Sequence, residues 1–297
     1  EIVFLASKKS AGSKIQFLGK DYIVQELNEQ SFDQGFDFAI FSAGGDVSKQ
    51  YAPIAASKGV IVIDNSSAFR MDKDVPLVVP EVNSEDIKDN HGIIANPNCS
   101  TIQAVVALKP LDDKYKIKRI VYSTYQAVSG AGQKGIEDLK NTLEGKENKK
   151  FPHSIANNCL PHIDVFLDNG YTKEEMKMIE ETKKILHNPK LKVTATTVRV
   201  PVLNSHSESI NIEFKNDFDI QELKELLKNS PGIILQDDIE NNIYPLATTS
   251  NGTDEVYVGR IRRDNTVKYG INLWVVADNI RKGAASNAVQ IMEYLMK

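Results

Sequence analysis

The stretch FDFAIFSAGGDVSKQYAPIAASKGVIVIDNS, residues 36–66, decides the fold of the first part of the chain. Its ends, FDFAIFSA at 36–43 and GVIVIDNS at 59–66, are apolar, β-branched runs of strand length, and VSKQYAPIAASKG between them has room for a crossover helix. EIVFLA at 1–6 and HGIIANP at 91–97 repeat the strand signal on either side. Strand runs that alternate with helical stretches predict a parallel sheet with helices on its faces. Ligands of such sheets bind beyond the carboxyl ends of the strands. Three of those ends carry polar or Gly-rich groups, SAGGD at 42–46, DNSSAFR at 64–70 and NPNCS at 96–100, so these loops are expected to converge on one crevice.

After Cys99 the pattern changes. A helix is predicted through about Leu108, followed by IKRIVYSTYQAVSGAG as a strand ending in a Gly/Ser loop, and by GIEDLKNTLEGKENKK as a charged helix running into a surface loop. Thr172 and Glu175 have the spacing of a capping box that opens a helix through about His187. LKVTATTVRVPVL, SESINIEF, DEVYVGRIRR and YGINLWVVAD then alternate apolar and polar residues, which predicts a mixed, mostly antiparallel sheet whose exposed face could pair with a second subunit. GAASNAVQIMEYLMK closes the chain as an amphipathic helix, with Ala284, Ala288, Ile291 and Leu295 at helical spacing.

The 297 residues suffice for two domains of ordinary size with a substantial core. A net charge of −4 argues against a nucleic-acid binder held by phosphate contacts and points to a small-molecule partner. Two cysteines, Cys99 and Cys159, make no disulfide framework and no metal pair, so a reducing, cytoplasmic compartment without metal chemistry is expected. The longest apolar runs fall far below the roughly 20 residues a bilayer span needs. EIVFLA has neither the basic start nor the length of a signal peptide and reads as a strand.

Cys99 stands between a turn and the first turn of a helix. There it is either a small core residue or a nucleophile whose thiolate the helix N-terminus favours near neutral pH. In VRVPVLNSH at 198–206, Arg199 lies inside an apolar strand, where a guanidinium needs an anion: a substrate carboxylate or a structural Asp. His206 follows in a loop, as a surface residue or a base. Glu174, Lys177 and Glu181 share one helical face, the ordinary pattern of a solvated stripe. The QAVSGAG loop and Arg70 are weaker signals, the one for a cofactor approached backbone-first, the other for phosphate or a simple turn end.

Taken in order and spacing, NPNCST, TYQAVSGAG, NGYTKEEMKMIEETKKI, VRVPVLNSHSE and LWVVADNIRKGAA resemble the bacterial aspartate-semialdehyde dehydrogenases over essentially the whole chain. The resemblance implies an α/β fold: a Rossmann-type NADP-binding domain at 1–98 completed by the C-terminal helix 278–297, and an α+β catalytic and dimerisation domain at 99–277. It implies reversible, NADP-dependent, phosphate-requiring oxidation of L-aspartate 4-semialdehyde to L-4-aspartyl phosphate, serving lysine, threonine, methionine and diaminopimelate synthesis, in a homodimer. By the same resemblance Cys99 is the nucleophile, Gln126 positions the acyl group, Arg199 grips the substrate carboxylate and His206 is the acid/base. Glu174 and Lys177 hold the substrate amine and the phosphate, with Arg70 the other phosphate ligand. Ser7, Lys9, Ser10 and Ala11 match the segment near the adenosine 2′-phosphate, and Ser129, Gly130 and Asn279 surround the nicotinamide. Lys8 and Lys9 favour NADP over NAD.

Two departures carry expectations of their own. The family begins with a strand and a Gly-rich turn about 30 residues ahead of the ASKKSAG segment. Their absence here suggests a truncated chain in which cofactor binding is weakened. The charged segment near 145–152 is shorter than usual, which is expected to alter a surface loop or subunit contact. Two alternatives stay open: a reductase of N-acetyl-glutamyl phosphate, against which Glu174 argues, and a silent subunit without a cofactor site.

Overall fold

The structure is a computed structural model that describes residues 1–297. Leu5–Ala6 (β1) pairs in parallel with Gln25–Glu26 (β4), and Lys14–Phe17 (β2) forms a hairpin with Lys20–Ile23 (β3). The hairpin turns on Leu18 and Gly19, both at positive φ (49° and 75°), the backbone that a two-residue turn between twisted strands requires. Of the EIVFLA run, only Leu5 and Ala6 are paired as strand.

The stretch at 36–66 folds as read. Phe38–Phe41 (β5), Gly45–Ser57 (α1) and Ile61–Asp64 (β6) form a βαβ unit, and Ile93–Ala95 (β7) continues the sheet in the order β5-β6-β7, all parallel. Gly59 at φ 83° ends α1 in the left-handed conformation, its N–H donating to the Ala56 carbonyl at 3.0 Å. Between β6 and β7, Pro80–Asn83 (α2) starts with its proline in the first turn, where a missing N–H costs nothing. Ala52 and Ala55 of α1, with Phe32 and Val60, pack against one face of this sheet at Phe41 and Val62. The other face, Ile63 and Ile94 with Val78 and Ile87, is covered by Ala288 and Ile291 of the C-terminal helix.

Cys99–Tyr115 (α3) carries the chain into a second layer. It continues seven residues beyond the predicted end at Leu108 and passes through Pro110, because Leu108, Leu111 and Tyr115 all find places in the core. The remaining elements are Ile117–Gln126 (β8), Gln133–Leu143 (α4), Lys173–Ile185 (α5), Lys192–Arg199 (β9), His206–Phe214 (β10), Ile220–Lys228 (α6), Ile233–Leu235 (β11), Ala247–Ser250 (α7), Val256–Asp264 (β12), Gly270–Ala277 (β13) and Ser286–Leu295 (α8). The strands form a six-stranded mixed sheet in the order β11-β12-β13-β10-β8-β9. The three central pairings are antiparallel, and those at the two edges are parallel. One face packs on α3, α5 and α6 in the largest core; the other is open along Tyr125, Ser207, Ser209 and Trp274. No helix is long and apolar enough to cross a membrane.

The capping box at Thr172 and Glu175 forms in both directions, with Thr172 N–H donating to Glu175 Oε2 at 2.7 Å and Glu175 N–H to Thr172 Oγ1 at 3.3 Å. The solvated stripe expected on α5 does not exist: Glu174 and Glu181 are 5% and 1% exposed and turn inward toward α3. At the C-terminus a π-helical turn over Arg281–Ala285 precedes α8, so Ala284 lies ahead of the regular helix. Lys282 in that turn is fully buried and donates to both carboxylate oxygens of Glu81 at 2.8 and 2.7 Å, pinning the turn to α2.

Ile291 is fully buried against Ile63, Ile87 and Ile94, so Ile291→Ala should lower stability by about 3 kcal/mol in urea unfolding. A loss below about 1 kcal/mol would mean that α8 does not close this face of the parallel sheet.

Candidate active site

Sheet register brings the first group together. Gln126, the last residue of β8, pairs with Arg199, the last of β9, and His206 opens β10 beside β8, so three strand termini place these side chains at one edge. Cys99 is the first residue of α3, and Gln103 one turn on donates from Nε2 to the His206 carbonyl at 3.2 Å, setting the helix start against this edge. Asn98 caps the helix: its Oδ1 accepts from the N–H groups of Ser100 and Thr101 at 3.0 and 3.2 Å.

The caps and charges interlock. Asn98 Nδ2 donates to Glu174 Oε1 at 2.9 Å, and Gln126 Nε2 donates to the same oxygen at 3.3 Å. Glu174 Oε2 accepts from Lys177 Nζ at 3.1 Å, and Asp164 Oδ2 accepts from Lys177 at 2.8 Å. Burial pushes the Glu174 carboxyl up, but Lys177, the Asn98 amide and Arg199 together outweigh it and hold the group below the usual glutamate value. Lys177 is shifted the other way: burial lowers it, Glu174 and Asp164 raise it, and the net direction is up. Acid and base are therefore both charged at neutral pH.

Arg199 has no carboxylate partner. Its Nη1 donates to the Ala127 carbonyl at 2.7 Å, its Nε is buried without a partner, and the Phe151 ring lies 6.0 Å from its guanidinium carbon. Of the two sequence readings, the structural salt bridge is absent. What remains is a desolvated cation, 5% exposed, with hydrogen-bonding capacity to spare. Phe151 belongs to the charged segment expected to form a surface loop, and it does form one; the loop is fastened to Asp138, whose carboxylate accepts from the N–H groups of Lys149, Lys150 and Phe151 at 2.7, 2.7 and 2.8 Å. The lysines face water while the ring turns inward.

His206 is a fully buried residue, not a surface one. Its Nδ1 accepts from the Ala127 N–H at 3.0 Å, which assigns the proton of the neutral ring to Nε2, and Nε2 has no partner. Burial, then the Arg199 charge, holds the imidazole well below its usual value, so it is neutral at physiological pH. In this state it is a hydrogen-bond donor. The Cys99 thiol departs from expectation too: burial, then the Glu174 charge, push it up to about 12 against lowering by Arg199, Arg70 and the Ser100 N–H. The helix N-terminus alone does not make a thiolate here, because desolvation and a nearby carboxylate oppose it.

Arg70 is 7% exposed and donates from Nη1 to Glu181 Oε1 and from Nη2 to the Asn65 carbonyl, both at 3.0 Å. With Lys177 it lines a cleft of about 470 Å³ that also includes Lys49 and Lys173. The three strand-end loops do converge: Asn96 Nδ2 donates to Asn65 Oδ1 at 2.7 Å, and Ser48 Oγ, just past the first loop, donates to Asp64 Oδ1 at 2.7 Å. Ser129, Gly130 and Asn279 gather beside His206. Asn279 Nδ2 donates to Ser129 Oγ at 3.0 Å, and a Cβ on Gly130 would sit 3.0 Å from Arg199 Nη1 and 3.1 Å from His206 Cε1. Ser7, Lys9, Ser10 and Ala11 form a turn after β1, with Ser10 and Ala11 N–H donating to the Ser7 carbonyl, and no hydrogen bond joins it to the other site residues.

Sequence reasoning did not single out Asn98 or Gly283, nor Glu181 beyond its stripe. A Cβ on Gly283 would lie 2.9 Å from Cys99 Cβ, so only glycine lets the C-terminal turn lie against the cysteine. Its position in the RKGAA run gives no hint of this, since the contact spans the chain.

A parallel βαβ layer is thus set against a mixed sheet, with a helix-start cysteine where they meet. Residues 1–90 match the family described as semialdehyde dehydrogenase, NAD binding domain, and residues 108–282 the family described as semialdehyde dehydrogenase, dimerisation domain. The chain belongs to the semialdehyde dehydrogenase family. It is 60% identical over 306 residues to an aspartate-semialdehyde dehydrogenase of Aquifex aeolicus, a match spanning 100% of this chain and 90% of that protein. The crystal structure of Vibrio cholerae aspartate semialdehyde dehydrogenase II complexed with ASA is similar at a TM-score of 0.95 and 50% identity, covering 100% of this chain and 90% of that one. The aspartate semialdehyde dehydrogenase of Candida albicans, solved with NADP, is similar at a TM-score of 0.78 and 27% identity, covering 100% and 91%.

Because only the thiolate is nucleophilic, a Cys99 thiol pushed up to about 12 should label slowly in the ligand-free protein. Iodoacetamide at pH 8 should modify exposed Cys159 first, and Cys99 labelling should rise about tenfold per pH unit without a plateau below pH 10. Glu174→Gln, which removes the charge that raises the thiol, should speed Cys99 labelling severalfold. Peptide mass mapping that found Cys99 modified first, with a plateau near pH 7, would contradict this.

Proposed function

We propose that the chain catalyses the reversible, NADP-dependent, phosphorylating oxidation of L-aspartate 4-semialdehyde to L-4-aspartyl phosphate through a thioester on Cys99. The observation that carries this reading is the buried, carboxylate-free guanidinium of Arg199 beside the helix that presents Cys99. A substrate carboxylate on Arg199 and a substrate ammonium on Glu174 would fix both ends of an amino acid, leaving its side-chain aldehyde to the thiol. Pairing of the ammonium with Glu174 also offsets the negative charge that, after burial, helps to hold the thiol protonated.

Cys99 Sγ bonds to the aldehyde carbon as the C=O π pair moves onto oxygen, the thiol proton ends on that oxygen, and His206 Nε2–H stabilises it as a hydrogen-bond donor, giving a hemithioacetal. A bound nicotinamide would supply the two-electron acceptor for the hydride of the hemithioacetal carbon, whose hydroxyl proton would go to solvent, leaving a thioester. An oxygen of hydrogen phosphate held by Arg70 and Lys177 then bonds to the thioester carbon, the C–S bond breaks, and the proton the phosphate gives up goes to the sulfur, regenerating the thiol. The cations offset the charge that builds where a phosphate and a carboxylate approach each other. Gln126, held through Glu174 and Thr124, keeps an amide at the edge where the acyl group lies.

The cofactor fits the residues present. Gly130 leaves open beside His206 the space a side chain would fill, Ser129 and Asn279 are tied as one polar corner, and Lys8 and Lys9 are exposed cations for a 2′-phosphate beside Ser7, Ser10 and Ala11. We assign 1–98 with 278–297 to cofactor binding and 99–277 to catalysis and dimerisation; the packing of α8 on the parallel sheet supports that division. The open sheet face, with Tyr125 and Trp274 rings 5.5 Å apart in a groove, suits a second copy of the chain and hence a homodimer. With its thiols reduced, the enzyme works in the cytoplasm.

The test is NADPH formation from aspartate semialdehyde with and without phosphate or arsenate. Activity should require one of the anions, and Arg199→Lys should raise the semialdehyde KM about a hundredfold, the loss of about 3 kcal/mol of buried charge pairing. Equal rates without either anion would rule the reading out. N-acetyl-glutamate semialdehyde, whose amine is blocked, should be a poor substrate.

A further inference from the structure

Glu181 is the one member of the α5 row that the proposed reaction leaves without a task. It is 1% exposed, and both of its oxygens are committed: Oε1 accepts from Arg70 Nη1 at 3.0 Å, and Oε2 accepts from the backbone N–H of Asn98 at 2.7 Å. Arg70 belongs to the loop after β6, Asn98 is the residue whose side chain caps α3, and Cys99 follows it directly. One carboxylate on α5 thus joins the guanidinium that lines the cleft to the backbone immediately before the thiol.

The arrangement is directional. Glu181 takes Nη1 and the Asn65 carbonyl takes Nη2, so the fork of Arg70 is held from two sides while its Nε has no partner in the protein. An arginine fixed in this way spends little further side-chain entropy on binding an anion. The second oxygen fixes where Asn98, and hence the start of α3, stands relative to that arginine. A buried carboxylate adds little net stability beyond that of an apolar side chain of its size, so its value here lies in geometry.

We propose that Glu181 is a positioning residue that sets the separation between the phosphate ligand Arg70 and the Cys99 thiol, so that bound phosphate meets the thioester carbon along a fixed direction. This rests on the assignment of Arg70 to phosphate made above. Glu181→Gln keeps the shape and can still accept from the Asn98 N–H, but turns an amide NH₂ toward the guanidinium.

In the full-length enzyme, Glu181→Gln should raise the phosphate KM about tenfold or more in NADPH formation and move the semialdehyde KM less than about twofold. In an Arg70→Gln background the same change should add nothing to the phosphate KM, because Glu181 acts through Arg70. Glu181→Asp, one methylene too short to span both partners, should give a smaller rise of the same kind and serves as the test if the glutamine variant does not fold. An unchanged phosphate KM, a parallel rise in both KM values, or an additive effect in the Arg70→Gln background would overturn the proposal. A wild-type enzyme indifferent to phosphate would instead overturn the functional reading on which it rests.

Discussion

The structure turns on Asn98. Its side-chain oxygen closes the first turn of α3, its amide nitrogen reaches Glu174 and its backbone N–H reaches Glu181. Each contact satisfies a group that would otherwise be buried unpaired, and leaving such a group bare costs about 1–3 kcal/mol. Together they tie the end of the parallel layer, through α5, to the mixed sheet. A residue with one fewer hydrogen-bonding group could cap the helix or hold the acid, but not both. The position of Cys99 is thus fixed by its neighbour and not by contacts of its own sulfur.

Charge follows the same plan. Arg70 is paired with Glu181, and Lys177 with Glu174 and Asp164, so these cations are stabilised before any anion arrives. Arg199 is the exception, kept dry by burial and the Phe151 ring, with the charge of Glu174 felt at a distance but no carboxylate bonded to it, only a carbonyl. The contrast distinguishes two kinds of anion site. A paired cation can lend part of its charge to a mobile ion, whereas an unpaired, desolvated one discriminates strongly for the carboxylate that completes it. The neutral His206, its tautomer set by the Ala127 N–H, adds a donor without adding charge.

Much of this was legible in the sequence because it depends on local rules. The βαβ alternation at 36–66, the capping box at Thr172 and the β-branched alternation of β9, β10, β12 and β13 are written in periods of two and near four residues, and each forms. The convergence of Gln126, Arg199 and His206 is legible once the strands are placed, since all three stand at strand ends. What was hidden depends on contacts between distant segments. The fate of the Cys99 thiol is decided by burial and by Glu174 on another helix, and the burial of Glu181 by which face α5 turns to α3. The charges of 145–152 read as solvent-facing, and nothing nearby says that Asp138 draws three backbone N–H groups inward and carries Phe151 with them. Gly283 is one of several small residues in its run until the fold sets it against Cys99.

The path of the chain gives the C-terminal turn a mechanical meaning. The backbone leaves the parallel layer at Asn98–Cys99 and returns to it after Ala277, through the π-turn that holds Gly283 against Cys99. Both crossings therefore lie side by side at the thiol. Segments far apart along the chain thus share one contact beside the reacting sulfur, so a change of side chain in the late turn is felt at the thiol as directly as a change in the helix that carries it.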